Sequence, residues 1–229
     1  MSARIMGLLV LGAALAGPVS ARSAPAAEDL ASAWRGKTVA LTQRPPTDFF
    51  SMMAPRGELW VKGMGAMIEA GRKIIEENEI EDPAPRLARD LLAAAESRYG
   101  VTAATIPPVK LDASTIDPRK LARGASGADL LFDIFGAGVD IQSLPMHLDQ
   151  YVVESGYKFL IIDVDHGTFA AKGVCRQQGD RKHPFTKDDL LADHAARLKQ
   201  TLESQRNACL EAFKEKVLGI HADSAASPH

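Results

Sequence analysis

The chain has 229 residues, with 27 Lys and Arg against 29 Asp and Glu, a formal charge of −2. That balance lacks the basic surplus of a nucleic-acid-binding protein. A composition of 46% hydrophobic and 24% charged residues excludes a disordered chain. Two cysteines are too few for a disulfide-dense scaffold or an all-cysteine zinc site.

Residues 1–21 read as a secretory signal peptide. Arg4 is a short basic start, Ile5 to Leu15 an apolar stretch, and Pro18 precedes the small-x-small site Val19-Ser20-Ala21, with Ala24-Pro25-Ala26 as a second option. The apolar stretch is shorter than the roughly 20 residues of a membrane span. An uncleaved anchor helix is the alternative. No cysteine lies near the cleavage region to carry a lipid. The expected product is exported and periplasmic, with no span after cleavage. Residues 22–36 form a flexible leader, 37–220 a single domain and 221–229 a disordered tail.

Lys37–Thr42 is a β-branched run and the first predicted strand, ended by Arg44-Pro45-Pro46. Residues 47–57 have no period and read as a packed loop or short helix. Glu58–Asn78 reads as a glycine-interrupted helix. Asp82-Pro83 starts the next helix, with Asp82 as cap, and Leu87, Leu91, Leu92, Ala95 and Tyr99 recur on one face before Gly100. Val101–Ile106 is a second strand, and Asp117-Pro118 opens a short helix to about Arg123. Leu130, Phe132 and Ile134 alternate with Leu131, Asp133 and Phe135 in a strand over 129–135. Tyr151–Asp165 is a long strand bulged at Ser155-Gly156, and Phe169–Arg176 pairs back after the turn Asp165-His166-Gly167-Thr168.

Thr186 and Asp189 resemble a capping box for the last helix. Leu191, Ala195, Leu198, Leu202, Cys209, Phe213 and Val217 form its apolar stripe, Lys199, Glu203, Arg206 and Lys214 its polar face, and Gly219 its stop. The order β, α, α, β, short α, β, β, β, α predicts an α+β (mixed α/β) fold. It has a central mixed sheet, a C-terminal antiparallel meander over 129–176 and covering helices.

Cys175 lies on the last strand, on a face shared by Phe169, Ala171 and Gly173. Cys209 lies on the stripe of the helix that covers it. A disulfide Cys175–Cys209 is expected in an exported protein, with two buried free thiols as the alternative. Asp163, Asp165 and His166 are the densest polar cluster and would suit a metal-dependent hydrolase. Asp, His and Gly are also ordinary turn formers, and a turn is needed there. His147, His183 and His194 lack ligand spacing, and Ser126, Ser143 and Ser155 lack a nucleophile-elbow context. No catalytic, cofactor-binding or metal residue is therefore assigned. Gly63, Gly65 and Gly71 fit no dinucleotide fingerprint. Their segment reads either as a helix packed closely on the sheet or as a contact surface through Trp60, Met64, Met67 and Ile68.

The runs GADLLFDI, FLIIDVDHGTFAAKGVCR and LLADHAARLKQTLESQRNACLEAF, with EDPAPRLARDLLAAAESRYGV upstream, resemble a group of uncharacterised proteobacterial exported proteins. The pattern is also similar, at fold level, to the envelope domains of curli-secretion-type and penicillin-binding-protein-activator lipoproteins. This chain departs from those in lacking the anchoring cysteine. The resemblance implies an envelope setting and no catalytic residue. The resulting expectation is a non-enzymatic periplasmic cell-envelope protein acting through protein–protein contact, with no cofactor and with a homo-oligomer left open. The alternative is a periplasmic binding protein for a small apolar or lipid ligand, with residues 59–71 lining its site.

Overall fold

The computed structural model describes residues 33–220; the expected signal peptide, the leader up to residue 32 and the tail from 221 lie outside them. In chain order the elements are β1 (Thr38–Gln43), β2 (Phe49–Ser51), α1 (Arg56–Lys62), α2 (Met64–Asn78), α3 (Ala84–Tyr99), β3 (Thr102–Ala103), β4 (Val109–Lys110), α4 (Pro118–Gly124), β5 (Leu130–Leu144), β6 (His147–Asp163), β7 (Thr168–Gln177), β8 (Phe185–Thr186) and α5 (Lys187–Leu218). This is the expected mixed α/β class, with a mixed sheet whose main order is β3-β1-β5-β6-β7.

The long antiparallel pair β5–β6 is the spine, and β7 completes the expected meander. β1 runs parallel to the first part of β5, with Val39 opposite Leu130. β2 runs parallel to the second part, with Phe49 opposite Val139. β8 extends the far side of β6 beyond β7, with Phe185 opposite Tyr151. β5 continues nine residues past Phe135 because Val139 and Ile141 resume the inward alternation after a bulge between Gly136 and Gly138. A Cβ at Gly136 would stand 1.8 Å from Thr47 Oγ1, so the β1–β2 connection crosses the strand there. That crossing delivers Phe49 to the sheet edge. Residues 49–51 are therefore a strand, not the loop or short helix their lack of period implies.

One face of the sheet is covered along its whole length. α3 and the C-terminal half of α5 place Leu87, Leu91, Phe213 and Val217 over Leu130, Phe132, Tyr157 and Ile161. α2 and the earlier part of α5 place Ile74, Leu198 and Leu202 over Val139, Ile141 and Val153. On the other face Leu121 and Ala122 of α4 pack with Leu131 and Ile162, and the segment at Gly179 lies against the buried Val152.

Several local expectations are corrected by packing. The 58–78 helix is two helices, broken at Gly63, whose φ of 55° is left-handed. The strand expected over Val101–Ile106 shrinks to Thr102–Ala103, and β4 appears after the two prolines, each pairing only with β1. α3 begins one residue late. Asp82 still acts as the expected cap, accepting from the Ala84 amide at 2.9 Å. The Thr186–Asp189 capping box forms in both directions. α5 breaks, however, over Ala192–Ala195, with Asp193, His194 and Ala195 all left-handed. Such residues cost on the order of 1 kcal/mol each. Leu190 and Ala195 are fully buried, Leu191 packs against the same cluster, and this burial offsets part of that cost. Arg206 is also buried rather than on the polar face, because α3 packs there and Asp90 and Glu203 pair with its guanidinium.

The Cys175–Cys209 disulfide is present, with its Cα atoms 5.6 Å apart. Ala171, Gly173 and Cys175 share the α5-facing side of β7, as predicted. Phe169 does not, because an extra residue between Phe169 and Ala171 bulges the β6–β7 pair and turns Phe169 to the α4 side.

Candidate functional site

The Asp163–His166 cluster is a turn. Asp163 Oδ1 accepts from the His166 amide at 3.1 Å and meets its Nδ1 at 2.9 Å. Burial pushes the Asp163 carboxyl up, but the His166 hydrogen bonds outweigh it and hold the group below its ordinary value. Among the described residues no three His, Cys, Asp or Glu side chains are grouped as metal ligands. His183 makes the same kind of local pair, with Asp180 at 2.7 Å. His147 lies at the exposed start of β6, and His194 within the break of α5.

The 58–71 segment divides between its two readings. A Cβ at Gly71 would stand 1.9 Å from the Phe49 carbonyl oxygen, so α2 sits directly on β2 through this glycine. Gly63 and Gly65 have nothing within 4 Å of that position, so they serve no such approach. Trp60 is 89% exposed, Val61 85%, Met64 68% and Ile68 41%, whereas Met67 is half-buried. The α2–α5 side has a hollow of about 330 Å³ with Met53, Ala66, Ala70, Ile74 and Leu191 in its lining. Glu58, Glu69, Lys73, Glu77 and Lys187 also line it. Trp60, Met64, Met67 and Ile68 are not part of that lining. The exposed large side chains of the segment thus lie outside this recess.

A second open surface was not legible as such. β7 is ten residues long, and among the described residues no strand pairs with its outer edge. Lys172, Val174 and Arg176 alternate outward on the sheet face that α4 leaves bare, and Lys158 stands opposite Val174 on the same face. The signal was present in the sequence as this alternation, but only the strand order shows that β7 is an edge.

The electrostatics of the fold predict acid sensitivity. The Asp129 carboxylate accepts from the Thr38 amide at 2.7 Å and its hydroxyl at 2.8 Å, and these bonds hold it below the usual range. Asp189 is lowered by its bonds to Thr186, and Asp180 by His183. A carboxylate lowered in the fold contributes stability that is present above the open-chain value of 3.8 and is lost as pH falls through the folded value. Asp140, raised by burial and then by Glu154, acts in the opposite sense. The expected net result is a falling urea midpoint between pH 5 and pH 3 that flattens in Asp129→Asn. An unchanged slope in that variant would remove Asp129 from the account.

No protein-family model and no curated protein matches the chain. Solved structures with a similar arrangement include the lipoprotein GNA1162 from Neisseria meningitidis, at 13% identity and a TM-score of 0.33, covering 75% of this chain and 99% of that one. They also include the hypothetical protein CT253 from Chlamydia trachomatis, at 9% identity and a TM-score of 0.34, covering 81% and 99%. TolB from Acinetobacter baumannii matches at 12% identity and a TM-score of 0.32, covering 82% of this chain and 30% of that one. The likeness is a weak one of fold, which does not fix activity. No helix among the described residues is long and apolar enough to cross a membrane.

Proposed function

We propose that this is an exported cell-envelope protein that works by contact with a protein partner rather than by catalysis. The observation that carries this reading is the open edge of β7. An unpaired edge presents a row of backbone donors and acceptors that another extended chain can satisfy, and natural proteins usually blunt such edges. Here the edge is long, and its protection is limited to one bulge and two cations, Lys172 and Arg176. Together with Lys158 those cations favour an acidic extended segment over a second copy of β7, which would place like charges close together.

A photo-crosslinker at Val174 tests this in envelope fractions. One discrete protein adduct is expected, lost in the variant carrying Lys172→Glu and Arg176→Glu. A diffuse smear, or an adduct that survives both charge reversals, would count against edge pairing. The reading of a small apolar ligand has less support, since the hollow beside α2 is rimmed by charge and is not lined by Trp60 or Met64.

A further inference from the structure

A groove of about 420 Å³ opens between α5 and the chain that joins β7 to β8. It exists because the strand ladder is interrupted there. β7 ends with Gln177 opposite Ser155, and β8 places Phe185 opposite Tyr151. Between these pairs Val152, Val153 and Glu154 keep β5 on one side and, among the described residues, meet no strand on the other. The joining chain passes there at Gly179, where a Cβ would stand 2.8 Å from the Val153 carbonyl oxygen.

The lining is polar but nearly without charge. Gln177, Gln178, Gln200 and Gln205 belong to it, four of the seven glutamines in the chain, together with Thr201 and Ser204. Only Asp180 and Arg197 in it are ionic, and both are engaged locally. Asp180 Oδ2 lies 2.7 Å from His183 Nδ1. The Arg197 guanidinium lies 5.6 Å from the Phe185 ring centre and donates to Gln200 at 3.4 Å. Open protein surface is ordinarily rich in Lys, Glu, Arg and Asp, so a groove of amides and hydroxyls departs from it. Gln205 is 8% exposed and donates from Nε2 to the Val153 carbonyl at 2.7 Å, while its buried Oε1 meets no donor among the described residues. Gln177 Nε2 lies 3.4 Å from Cys175 Sγ and 3.7 Å from Cys209 Sγ, so the disulfide steadies that wall.

We infer that this groove binds a neutral saccharide chain. A side-chain amide offers donors and an acceptor side by side, and a hydroxyl does both from one atom. The matching ligand donates and accepts at closely spaced atoms and brings no charge, as sugar hydroxyls and acetamido groups do. The volume falls within the roughly 300–1,000 Å³ of small-ligand sites. A hydroxyl seated against Gln205 supplies the donor that its Oε1 lacks. An extended peptide is a poorer occupant. It would need a free strand edge and side-chain pockets, whereas Gly179 already lies against Val153 and the apolar lining is limited to Val153, Phe185 and Ala208. The groove borders β6 beyond the end of β7, so this inference does not rest on pairing at the outer edge of β7.

Saturation-transfer NMR on the full-length protein tests it with two uncharged probes, the β-1,4-linked tetramer of N-acetylglucosamine and maltotetraose. Transfer to the ring protons of at least one is expected. The half-saturating concentration should rise about tenfold in Ala208→Trp, which fills the groove, and in the paired variant Gln178→Ala with Gln200→Ala, which removes two amides. All three positions are exposed, so the variants keep the fold, and circular dichroism checks that they do. No transfer to either sugar at its solubility limit would overturn the inference. So would transfer unchanged in both variants, which would place the sugar elsewhere. Binding confined to a tetramer of galacturonate and abolished by salt would mean an anion site, and tighter binding of an uncharged Gly-Ala tetrapeptide would mean a peptide site; either overturns it. Val174 crosslinking in Ala208→Trp reads the β7 edge independently.

Discussion

Asp133→Ala should cost about 3–5 kcal/mol of stability, because it strands a buried guanidinium. Asp133 is fully buried on the middle strand β5, and the Arg44 side chain is 5% exposed. Arg44 Nε donates to Asp133 Oδ1 at 2.8 Å and Nη2 to Oδ2 at 2.6 Å, a two-point pair. Thr42 Oγ1 donates to Oδ1 as well, at 2.7 Å. The other guanidinium protons go to the carbonyls of Asp112, Ala113 and Thr115, and the plane lies 4.2 Å from the Phe135 ring centre. Arg44 therefore ties β1, β5 and the loop after β4 together. Against a typical total stability of about 5–15 kcal/mol, the loss would leave much of the protein unfolded at 37 °C. Urea denaturation of Asp133→Ala, Arg44→Met and the double variant measures it. The double variant should lose clearly less than the two single losses added, since neither charge is then left alone. Strict additivity would mean that the pair carries no coupling.

Loss of the disulfide should have the next largest effect, about 3–4 kcal/mol from the chain-entropy model for a loop of 34 residues. The bridge joins the last strand to the last helix. Cys209 is fully buried and Cys175 is 7% exposed, with the Gln177 amide 3.4 Å from the Cys175 sulfur. Paired alanines at both positions should lower the urea midpoint without changing the fold, because α5 is also held by Leu198, Leu202, Phe213 and Val217. Circular dichroism and urea titration of the oxidised protein and the double-alanine variant check this. Equal midpoints would show that the bridge adds nothing to helix packing.

What was legible in the chain follows from physical range. Local chemistry marked the Thr186 cap, the Asp82 and Asp117 helix starts, and the Gly100 and Gly219 stops, since each depends on backbone groups a few residues away. Alternation marked the first half of β5 and the meander. The cysteine pairing was also within reach, because two periodicities, strand and helix, set both sulfurs on facing surfaces. Periodicity failed where glycines and bulges shift the phase. Gly136 and Gly138 hid the second half of β5, and the bulge before Ala171 reversed Phe169.

By itself the sequence determined the fold class, the meander, the capped last helix and the bridge, all set by short-range propensity or a regular period. Only the tertiary structure decided the rest. The break in α5 lies where Leu190 and Ala195 are buried with Ile74, Val139 and Val153, neighbours far along the chain. Asp133 read only as sharing a strand face with Leu131 and Phe135, yet it is an ion-pair partner because Arg44, 89 residues earlier, arrives over it. Trp60 and Met64 were recognisable as contact candidates. Where their helices stand depends on β2 pairing with β5, a long-range choice that no local pattern encodes.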